Sequence, residues 1–397
     1  MTSETLPAQS PPCLTADQAL AVAQELARDI ASRADDADKR GELPPADVTA
    51  LKRSGYLGLP IAQEFGGAGL SLYDCVRVQL ELAKGSTSTA LVAAMHTHIM
   101  GHAREARPWT AHIFTSLSEA AVRGELINAV ASEPKLGSPS RGGLPETAAV
   151  LEGEYLRLNG HKTWTTGGSY LDHLLVRATL QQANDEVATM IWVPANTPGV
   201  RIDATWGDSL SLRASDSHDL FFEDVIAPVA NILQPIATPA PDAPKPAGNT
   251  VWFPMLMAAT YFGAALAARD TTVHYAQTRV PTALGKPIAT LPKIQRQLGE
   301  VEIALHAAKT VLLEVARAWH GDVSQQQAFI PKVATAKHLA TETALQVTEQ
   351  CLKIAGGASI GRELPLERYF RDVRAGIMHP PSGDTALELV GKAVLEV

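Results

Sequence analysis

The chain has 397 residues, of which 46% are hydrophobic and 19% charged, the balance of a folded globular protein rather than a disordered one. Single cores stop growing below this length, so two or three subdomains are expected. The net charge of −8 argues against nucleic acid as the main partner, because phosphate contacts need clustered Lys and Arg.

The first third of the chain shows the spacing of helices. Thr15 and Asp17 are suited to cap a helix whose apolar residues recur through Ile30. Further helices are predicted over residues 72–83, 89–103 and 110–123. We therefore predict an N-terminal helical domain over residues 1–126.

The period changes to that of strands in the middle of the chain. Short runs such as DHLLVRATL and EVATMIWVP stand between Gly, Asn, Asp and Pro breakers. The pair Asn159 and Gly160 predicts a hairpin, because a type I′ turn needs positive φ at both central positions. Several strands separated by turn signals predict a middle antiparallel β-domain over residues 127–231, built as a small sandwich or barrel.

A Pro-rich segment over residues 232–250 predicts an extended connector to a second set of helices. Ala-rich helices are predicted over residues 255–279, 294–319 and 334–355, followed by a last helix from Thr385. Together these helices predict a C-terminal four-helix bundle over residues 251–397. The expected fold class is therefore α+β, with a sheet between two helical domains.

Residues 251–268 are uncharged and touch the lower length limit of a membrane span. We interpret them as a helix buried within the bundle, because no second apolar stretch and no basic cluster accompany them. The N-terminus lacks the features of a secretory signal. Three cysteines (Cys13, Cys75 and Cys351) lie far apart, which favours a reducing compartment, so a cytoplasmic protein without a membrane span is predicted.

Five segments, each on the expected type of element, resemble motifs of the acyl-CoA dehydrogenase family. They are SEPKLGSP (132–139), LNGHKTWTTGG (158–168), SDSHDLFFEDVIAP (215–228), YAQTRVPTALGKPI (275–288) and IAGGASIGRELPLERYFRDVR (354–374). The resemblance runs through most of the chain, and five motifs in the family's order are more specific than any one alone. It implies an enzyme that binds FAD between the β-domain and the C-terminal helices, with the site completed by a neighbouring subunit of a homodimer or homotetramer.

The resemblance also implies which residues contact FAD. Trp164 offers a flat apolar face to the isoalloxazine, and Thr166 offers a hydroxyl to its polar edge. Arg279 suits the diphosphate because its guanidinium is a fixed fork of donors, and Gly356 lets the backbone approach closely. The other positions matched to FAD contacts are Gly357, Ser132, Ser138, Lys353, Ser382 and Asp384.

Most of these residues also have a structural interpretation. Trp164 fits the core of a β-domain, and Arg279 fits a solvated cation at a helix end. The two glycines fit a helix C-cap. Asp384 fits a helix cap, and Lys353 fits an exposed side chain.

The family's catalytic base is absent from its usual place. Dehydrogenation of an acyl thioester needs a carboxylate to take the weakly acidic α-proton while hydride leaves the β-carbon for the flavin. In the segment MHPPSGD (378–384), the family's Tyr–Glu pair aligns with His379 and Pro380. The second place where some members carry the base aligns with about Phe253, and residues 251–268 contain no Asp or Glu. Neither Pro380 nor Phe253 can accept a proton.

Histidines and Asp384 are the remaining candidates for catalysis, although a helix cap or a cofactor contact is the favoured interpretation of Asp384. His379 is the nearest titratable residue and has a suitable intrinsic pKa, with a packed or ribose-contacting histidine as the alternative. His96 lies on a helix whose counterpart in the family lines the substrate cavity. His98 and His102 share a helix face at a spacing compatible with a metal, but no third ligand accompanies them and no metal site is predicted.

Three functions stay open from the sequence. The leading one is an FAD-dependent oxidoreductase that acts on the CH–CH group of an acyl thioester or a similar apolar molecule with a non-standard base. Its further partner would be an electron acceptor or a flavin reductase. The second is a flavin-dependent monooxygenase of the same fold, which uses reduced flavin and O2 and does not need the missing base. The third is a flavin-binding protein without turnover.

Overall fold

The computed structural model describes residues 11–136, 143–182, 185–234 and 249–396. Within these ranges a set of helices precedes a single sheet and a second set follows it, which confirms the predicted α+β class. The helices are α1 (Ala16–Arg40), α2 (Pro45–Arg53), α3 (Leu72–Ala83), α4 (Thr87–Ala106), α5 (Ala111–Val122), α6 (Trp252–Thr278), α7 (Pro292–Ala318), α8 (Gln326–Ala355), α9 (Leu366–Asp372) and α10 (Gly383–Leu395). The strands are β1 (Ile127–Val130), β2 (Ala148–Glu152), β3 (Tyr155–Thr165), β4 (His173–Gln182), β5 (Asp185–Pro194), β6 (Val200–Asp203) and β7 (His218–Pro228).

The first helix begins where the sequence predicts it. The Thr15 hydroxyl accepts the N–H of Gln18, and the Gln18 side chain accepts the N–H of Thr15, so both form a capping box. The helix continues well beyond Ile30 to Arg40 and ends at Gly41, whose φ of 68° is the left-handed conformation that glycine adopts without strain.

The strands form one open sheet in the order β1-β4-β2-β3-β7-β6, with β5 on β4. β4 pairs in parallel with β1 and β2, whereas the other pairs are antiparallel. The β-domain predicted as a small sandwich or barrel is a single sheet, and the expectation that it is antiparallel is wrong for the pairs of β4 with β1 and β2. Most of the predicted connector, residues 235–248, lies outside the described residues.

The hairpin predicted at Asn159 and Gly160 is also wrong. The turn lies earlier, at residues 153–154, because Glu152 of β2 pairs with Tyr155 of β3. Asn159 and Gly160 stand inside β3, where the pairing with β7 shifts at a bulge. Gly160 is needed there because a Cβ would meet Thr147 at 2.4 Å. Glycine serves a close approach between strands as well as a turn.

Helix α6 forms the centre of the molecule, as its uncharged sequence predicts. Most of its residues from Trp252 to Ala268 are buried, and it packs against α3, α4, α7 and α8. Gly263 lets α3 come close, since a Cβ there would lie 2.7 Å from the Leu80 carbonyl oxygen. None of the helices in the described ranges is both long and apolar enough to cross a membrane.

Helix α8 starts earlier than predicted. The sequence places its start after Pro331, but the helix begins at Gln326 and includes this proline near its first turns. The early start lengthens the helix that packs against α6, α7 and α10. It leaves Lys337 in the middle of the buried face, with 1% of its surface exposed.

A buried ionic junction joins the N-terminal helix, the sheet and the C-terminal bundle. The Asp372 carboxylate accepts the N–H of Leu212 at 2.8 Å from the loop before β7. On the same short helix, Arg368 and Arg371 pair with Asp35 and Asp38 of α1, respectively. Burial raises the pKa of Asp372 to about 6, although Arg368 opposes the rise. The junction fixes the three parts of the chain around the loops that carry the candidate site.

Candidate functional site

The segment in place of the missing base is a loop between a 3-10 turn (Val373–Ile377) and α10. We call residues 378–382 the HPP loop. Its His379 ring is held from one side, because Nδ1 lies 2.8 Å from the hydroxyl oxygen of Tyr261 on α6. Its backbone is held from another, because the Lys337 ammonium donates to the carbonyl oxygens of His379 at 2.9 Å and Pro381 at 2.8 Å. Side chains from α6 and α8 thus fix the loop.

The electrostatics of the loop favour a neutral imidazole. The His379 ring packs against Tyr261 and Phe253, with ring centroids 5.7 and 5.9 Å apart. Burial and the charge of Lys337 lower the pKa of His379 to about 4, because both disfavour a second cation. Burial alone lowers the pKa of Lys337 to about 8. At pH 7 the site therefore contains an uncharged His379 ring next to the buried ammonium group of Lys337.

A second histidine approaches the same aromatic side chain. The ring of His98, on α4, meets Phe253 edge to face with centroids 4.9 Å apart. Its Nδ1 lies 2.8 Å from the amide nitrogen of Asn249, which makes Nδ1 the acceptor. Burial and the neighbouring histidines lower the pKa of His98 to about 3. Phe253, which the sequence aligns approximately with the second place of the family's base, thus lies between two neutral histidines.

His96, the other predicted catalytic histidine, has a structural part in this conformation. Its Nδ1 accepts the N–H of Ile127 at 3.2 Å, and its Nε2 lies 2.9 Å from the Leu57 carbonyl oxygen. Burial lowers its pKa to about 4. Because both ring nitrogens bond to the main chain, His96 has none left for a substrate proton. Residues two apart on a helix face in nearly opposite directions, which is why His98, and not His96, faces α6.

A buried ion pair positions the predicted flavin contacts of the β-domain. Lys162 donates to Glu133 at 2.6 Å, and the Glu133 carboxylate also accepts the N–H and hydroxyl of Thr147. Although burial opposes it, these donors hold the pKa of Glu133 below its ordinary value. The main chain beside Glu133 is fixed in turn, because the Ser132 carbonyl oxygen accepts the Thr163 N–H at 3.0 Å. Ser132 is thereby held next to the strand that carries Trp164.

Trp164 is not a core residue. It is 58% exposed and has a φ of 58°, at an irregularity in the pairing of β3 with β7. A positive φ is unusual for a bulky side chain, and such strain concentrates at ligand sites. An exposed indole face near the end of a strand is suited to cover an apolar ring.

Thr166 follows in a loop that the SDS motif holds in place. Gly167 N–H donates to the Ser215 carbonyl oxygen at 2.9 Å, and the Thr166 hydroxyl lies 2.9 Å from that of Ser217. The Ser217 hydroxyl in turn lies 2.7 Å from that of Ser215. A hydroxyl can donate once and accept twice, so Thr166 keeps capacity for one more polar partner.

The predicted diphosphate contacts lie at one end of the C-terminal bundle. A small apolar cluster that includes Ala276 and Ile354 joins the end of α6 to the end of α8. Arg279 follows α6, is exposed, and has no side-chain hydrogen bond or ion pair among the described residues. Gly356 caps α8 with a φ of 60°, and a Cβ there would meet nothing within 4 Å. The C-cap interpretation of this glycine is confirmed, and the space before it is open.

The remaining predicted contacts are less constrained. Lys353 is exposed and pairs with Glu349 at 2.7 Å. Ser382, not Asp384, occupies the N-cap position of α10, and its hydroxyl lies 3.1 Å from that of Thr385. Asp384 is exposed in the first turn, so its interpretation as the cap is wrong. Ser138 lies outside the described residues.

Two residues of the site were not found from the sequence. Lys337 has a signal, because it is the one charged residue in a stretch of α8 where Val333, Ala336 and Ala340 are buried. Tyr261 has no such signal, since its sequence surroundings are uniformly apolar. No three His, Cys, Asp or Glu side chains in the described ranges could together hold a metal ion.

Comparison with known proteins agrees with this arrangement. Family models for the acyl-CoA dehydrogenase N-terminal, middle and C-terminal domains match residues 17–105, 128–225 and 255–381. The putative acyl-CoA dehydrogenase YdbM of Bacillus subtilis is 33% identical over 90% of this chain and 92% of its own. The chain belongs to the acyl-CoA dehydrogenase family. It is therefore a flavin-dependent oxidoreductase of this family, as predicted.

Solved structures share the fold but do not distinguish a dehydrogenase from a monooxygenase. Butyryl-CoA dehydrogenase from Megasphaera elsdenii has a TM-score of 0.81 and 22% identity, covering 96% of this chain and 98% of its own. Dibenzothiophene monooxygenase (TdsC) from Paenibacillus sp. A11-2 also has a TM-score of 0.81, with 23% identity and coverage of 95% and 97%. Likeness at this level shows the fold alone.

Proposed function

We propose that the protein is an FAD-dependent oxidoreductase that removes hydrogen across the CH–CH group of an acyl thioester, with His379 as the proton acceptor. Family membership supports the reaction class. The observation that carries the role of His379 is its uncharged ring in the loop where the family has its carboxylate. When bound, FAD supplies the acceptor for the hydride that leaves the β-carbon.

Tyr261 determines which nitrogen of His379 is available. A neutral imidazole carries one proton, on Nδ1 or on Nε2. With the proton on Nδ1, that N–H donates to the Tyr261 oxygen at 2.8 Å and leaves Nε2 free to accept the α-proton. The phenol oxygen then stabilises the cation that forms on the ring. Tyr261 thus acts as the orienting partner of the base.

Four features of the described residues support FAD as the cofactor. The exposed Trp164 suits the isoalloxazine, and the nearby Thr166 hydroxyl can still form a further hydrogen bond. The unpaired Arg279 and the open backbone at Gly356 suit the diphosphate at the end of the bundle. We assign to the same cofactor the contacts predicted for Gly357, Ser132, Ser138, Lys353, Ser382 and Asp384.

One observation favours a flavin-dependent monooxygenase as a second candidate. The Tyr261 hydroxyl is buried, and in the part of the chain described here its partner is His379 alone. A buried hydroxyl without an acceptor costs free energy, and in the other tautomer of His379 Tyr261 has one, because its hydroxyl donates to Nδ1. His379 then carries its proton on Nε2 and presents a donor. A donor beside a reduced flavin suits the stabilisation of negative charge during a reaction with O2.

The two candidates predict opposite results when the purified FAD-loaded enzyme is mixed anaerobically with a series of acyl-CoAs. Dehydrogenation bleaches the flavin absorbance and yields the enoyl thioester by mass spectrometry. His379→Ala, the matched control, should bleach at least about tenfold more slowly. No bleaching with any chain length, together with NADH-dependent O2 uptake once a flavin reductase is added, would replace the dehydrogenase proposal by the monooxygenase.

We infer that the enzyme works as a homodimer or homotetramer. Apolar side chains stand exposed on α10 and beyond α8, including Val394 at 77% and Ile360 at 86%, and such surfaces favour subunit contacts. Light scattering should give a mass of two or four chains, and a monomer at micromolar concentration would contradict the inference. Cytoplasmic residence stays a prediction, supported by three free cysteines.

A further inference from the structure

Lys337 is an unusual residue for the interior of a helical bundle. Its side chain is 1% exposed on the face of α8 that packs inside the protein. Burying an ammonium group is costly, and most buried lysines are paired with a carboxylate. In the described ranges no carboxylate lies within ion-pair distance of Lys337. Its ammonium group instead donates hydrogen bonds to two carbonyl oxygens of the HPP loop.

The sequence of the loop explains why such a donor is needed. Proline has no N–H, so the loop lacks backbone donors at Pro380 and Pro381. Among the described residues, the carbonyl groups of His379 and Pro381, on either side of Pro380, also accept no backbone N–H, so they depend on a side-chain donor. The Lys337 ammonium reaches both, at 2.9 and 2.8 Å. One side chain thus fixes the main chain on both sides of the residue that replaces the usual base.

The same ammonium is the nearest fixed charge to the His379 ring. The groups that face this ring are Tyr261 and Phe253 from α6 and Lys337 from α8, with neutral His98 on α4 beyond Phe253. The charge of Glu342 raises the pKa of Lys337, and the charge of Asp372 raises the pKa of Tyr261. Lys337 is therefore the charge that disfavours a cationic His379.

We infer that Lys337 is a positioning residue for His379, which fixes the HPP loop through the two carbonyl groups and places a positive charge near the imidazole. The second part rests on the proposed role of His379, whereas the first stands without it. Burial lowers the pKa of Lys337 to about 8, so the ammonium form is present at neutral pH and can donate to both carbonyls.

The first test measures the loop without any turnover. Hydrogen exchange by mass spectrometry on the FAD-loaded enzyme would follow peptides that cover residues 373–384 in Lys337→Met, Lys337→Gln and Lys332→Met. Lys332 is an exposed lysine of the same helix and provides the control. Lys337→Met should exchange about tenfold faster in these peptides, because two hydrogen bonds are lost, and Lys337→Gln less so because its amide still donates. Exchange in Lys337→Met equal to that in Lys332→Met would overturn the positioning role.

The second test measures the charge effect. The His379 ring is titrated by NMR in protein labelled at histidine, with the signal assigned by its loss in His379→Gln. Both Lys337→Met and Lys337→Gln should move the titration midpoint upward by at least about half a pH unit, since a nearby cation is removed. An unchanged midpoint would refute the electrostatic part. Neither readout needs the acyl-CoA reaction, so failure of the proposed function would leave both results interpretable.

Discussion

The hydroxyl oxygen of Tyr261 lies 2.8 Å from Nδ1 of His379, although the two residues are 118 positions apart in the sequence. This contact joins the most buried helix of the bundle to the loop that lacks the family's carboxylate. It also engages one ring nitrogen of His379 and leaves the other without this partner. The Tyr261 hydroxyl makes no other polar contact within the described ranges.

Replacing Tyr261 by Phe should lower kcat by about tenfold, because the His379 ring loses the partner that fixes its orientation and its tautomer. Stability should fall by about 1 kcal/mol, the usual net worth of one hydrogen bond. Tyr56→Phe is a matched control, since its buried hydroxyl bonds to Gln79 at 2.7 Å. That control should lose comparable stability and keep its kcat. Equal kcat in the wild type and Tyr261→Phe would remove Tyr261 from the mechanism.

Replacing His96 by Gln should affect stability and not chemistry. Its ring connects the main chain at Leu57 and Ile127, so unfolding should become easier by about 2 kcal/mol, measured by urea titration. His379→Gln should show the reverse pattern, with kcat at least about tenfold lower and a small change in stability. A large loss of kcat in folded His96→Gln would restore the catalytic role predicted from the sequence.

Arg279→Ala should reduce the FAD content of the purified enzyme, because a free guanidinium at the end of the bundle is removed from the diphosphate site. Arg279→Lys should retain part of it, since lysine keeps the charge but loses the fork of donors. Arg296→Ala, at an exposed position on α7, is the control. The flavin to protein absorbance ratio gives the result. Full flavin in Arg279→Ala would refute the diphosphate contact.

Asp372 makes the stability of the junction depend on pH. Burial raises its pKa to about 6 from an ordinary value of 3.8, so the folded state prefers the protonated carboxyl. Its stabilising effect is complete below pH 3.8 and is lost as the pH rises through about 6. The loss is about 3 kcal/mol for a shift of about two units.

Asp372→Asn isolates this effect, because the amide oxygen can still accept the Leu212 N–H. Urea titrations of both proteins at several pH values give their free energies of unfolding. Between pH 4 and 6 the free energy of unfolding of the variant should rise by about 3 kcal/mol relative to that of the wild type. Subtracting the wild-type value from the value of the variant removes the contribution of the other carboxylates, because they titrate in both proteins. A stability difference that does not change over this interval would contradict the raised pKa.

The sequence was sufficient for the order of the elements and for the family. Helical spacing and cap residues located α1 and α3 well, because capping by Thr15 and the run of apolar residues are local. The motifs of the β-domain and of the bundle ends are also contiguous. Each could be recognised without knowing what packs against it.

The details that failed depend on contacts between distant residues. Asn159 and Gly160 suit a turn and a bulge equally, and only the register of β2 on β3 decides between them. The choice between His96 and His98 depends on which side of α4 meets α6. The partners of His379 are separated from it by 118 and 42 positions, a distance that spacing rules do not reach.

The double contact of Lys337 with the HPP loop bears on how this chain could have diverged from its relatives. Replacing Pro380 by glutamate would introduce a carboxylate into a segment already held by the ammonium group of Lys337. A neighbouring cation makes a carboxylate a weaker base. A change at 380 alone would thus give a carboxylate weakened by Lys337, and changes at both 337 and 380 would be needed for a carboxylate of ordinary basicity.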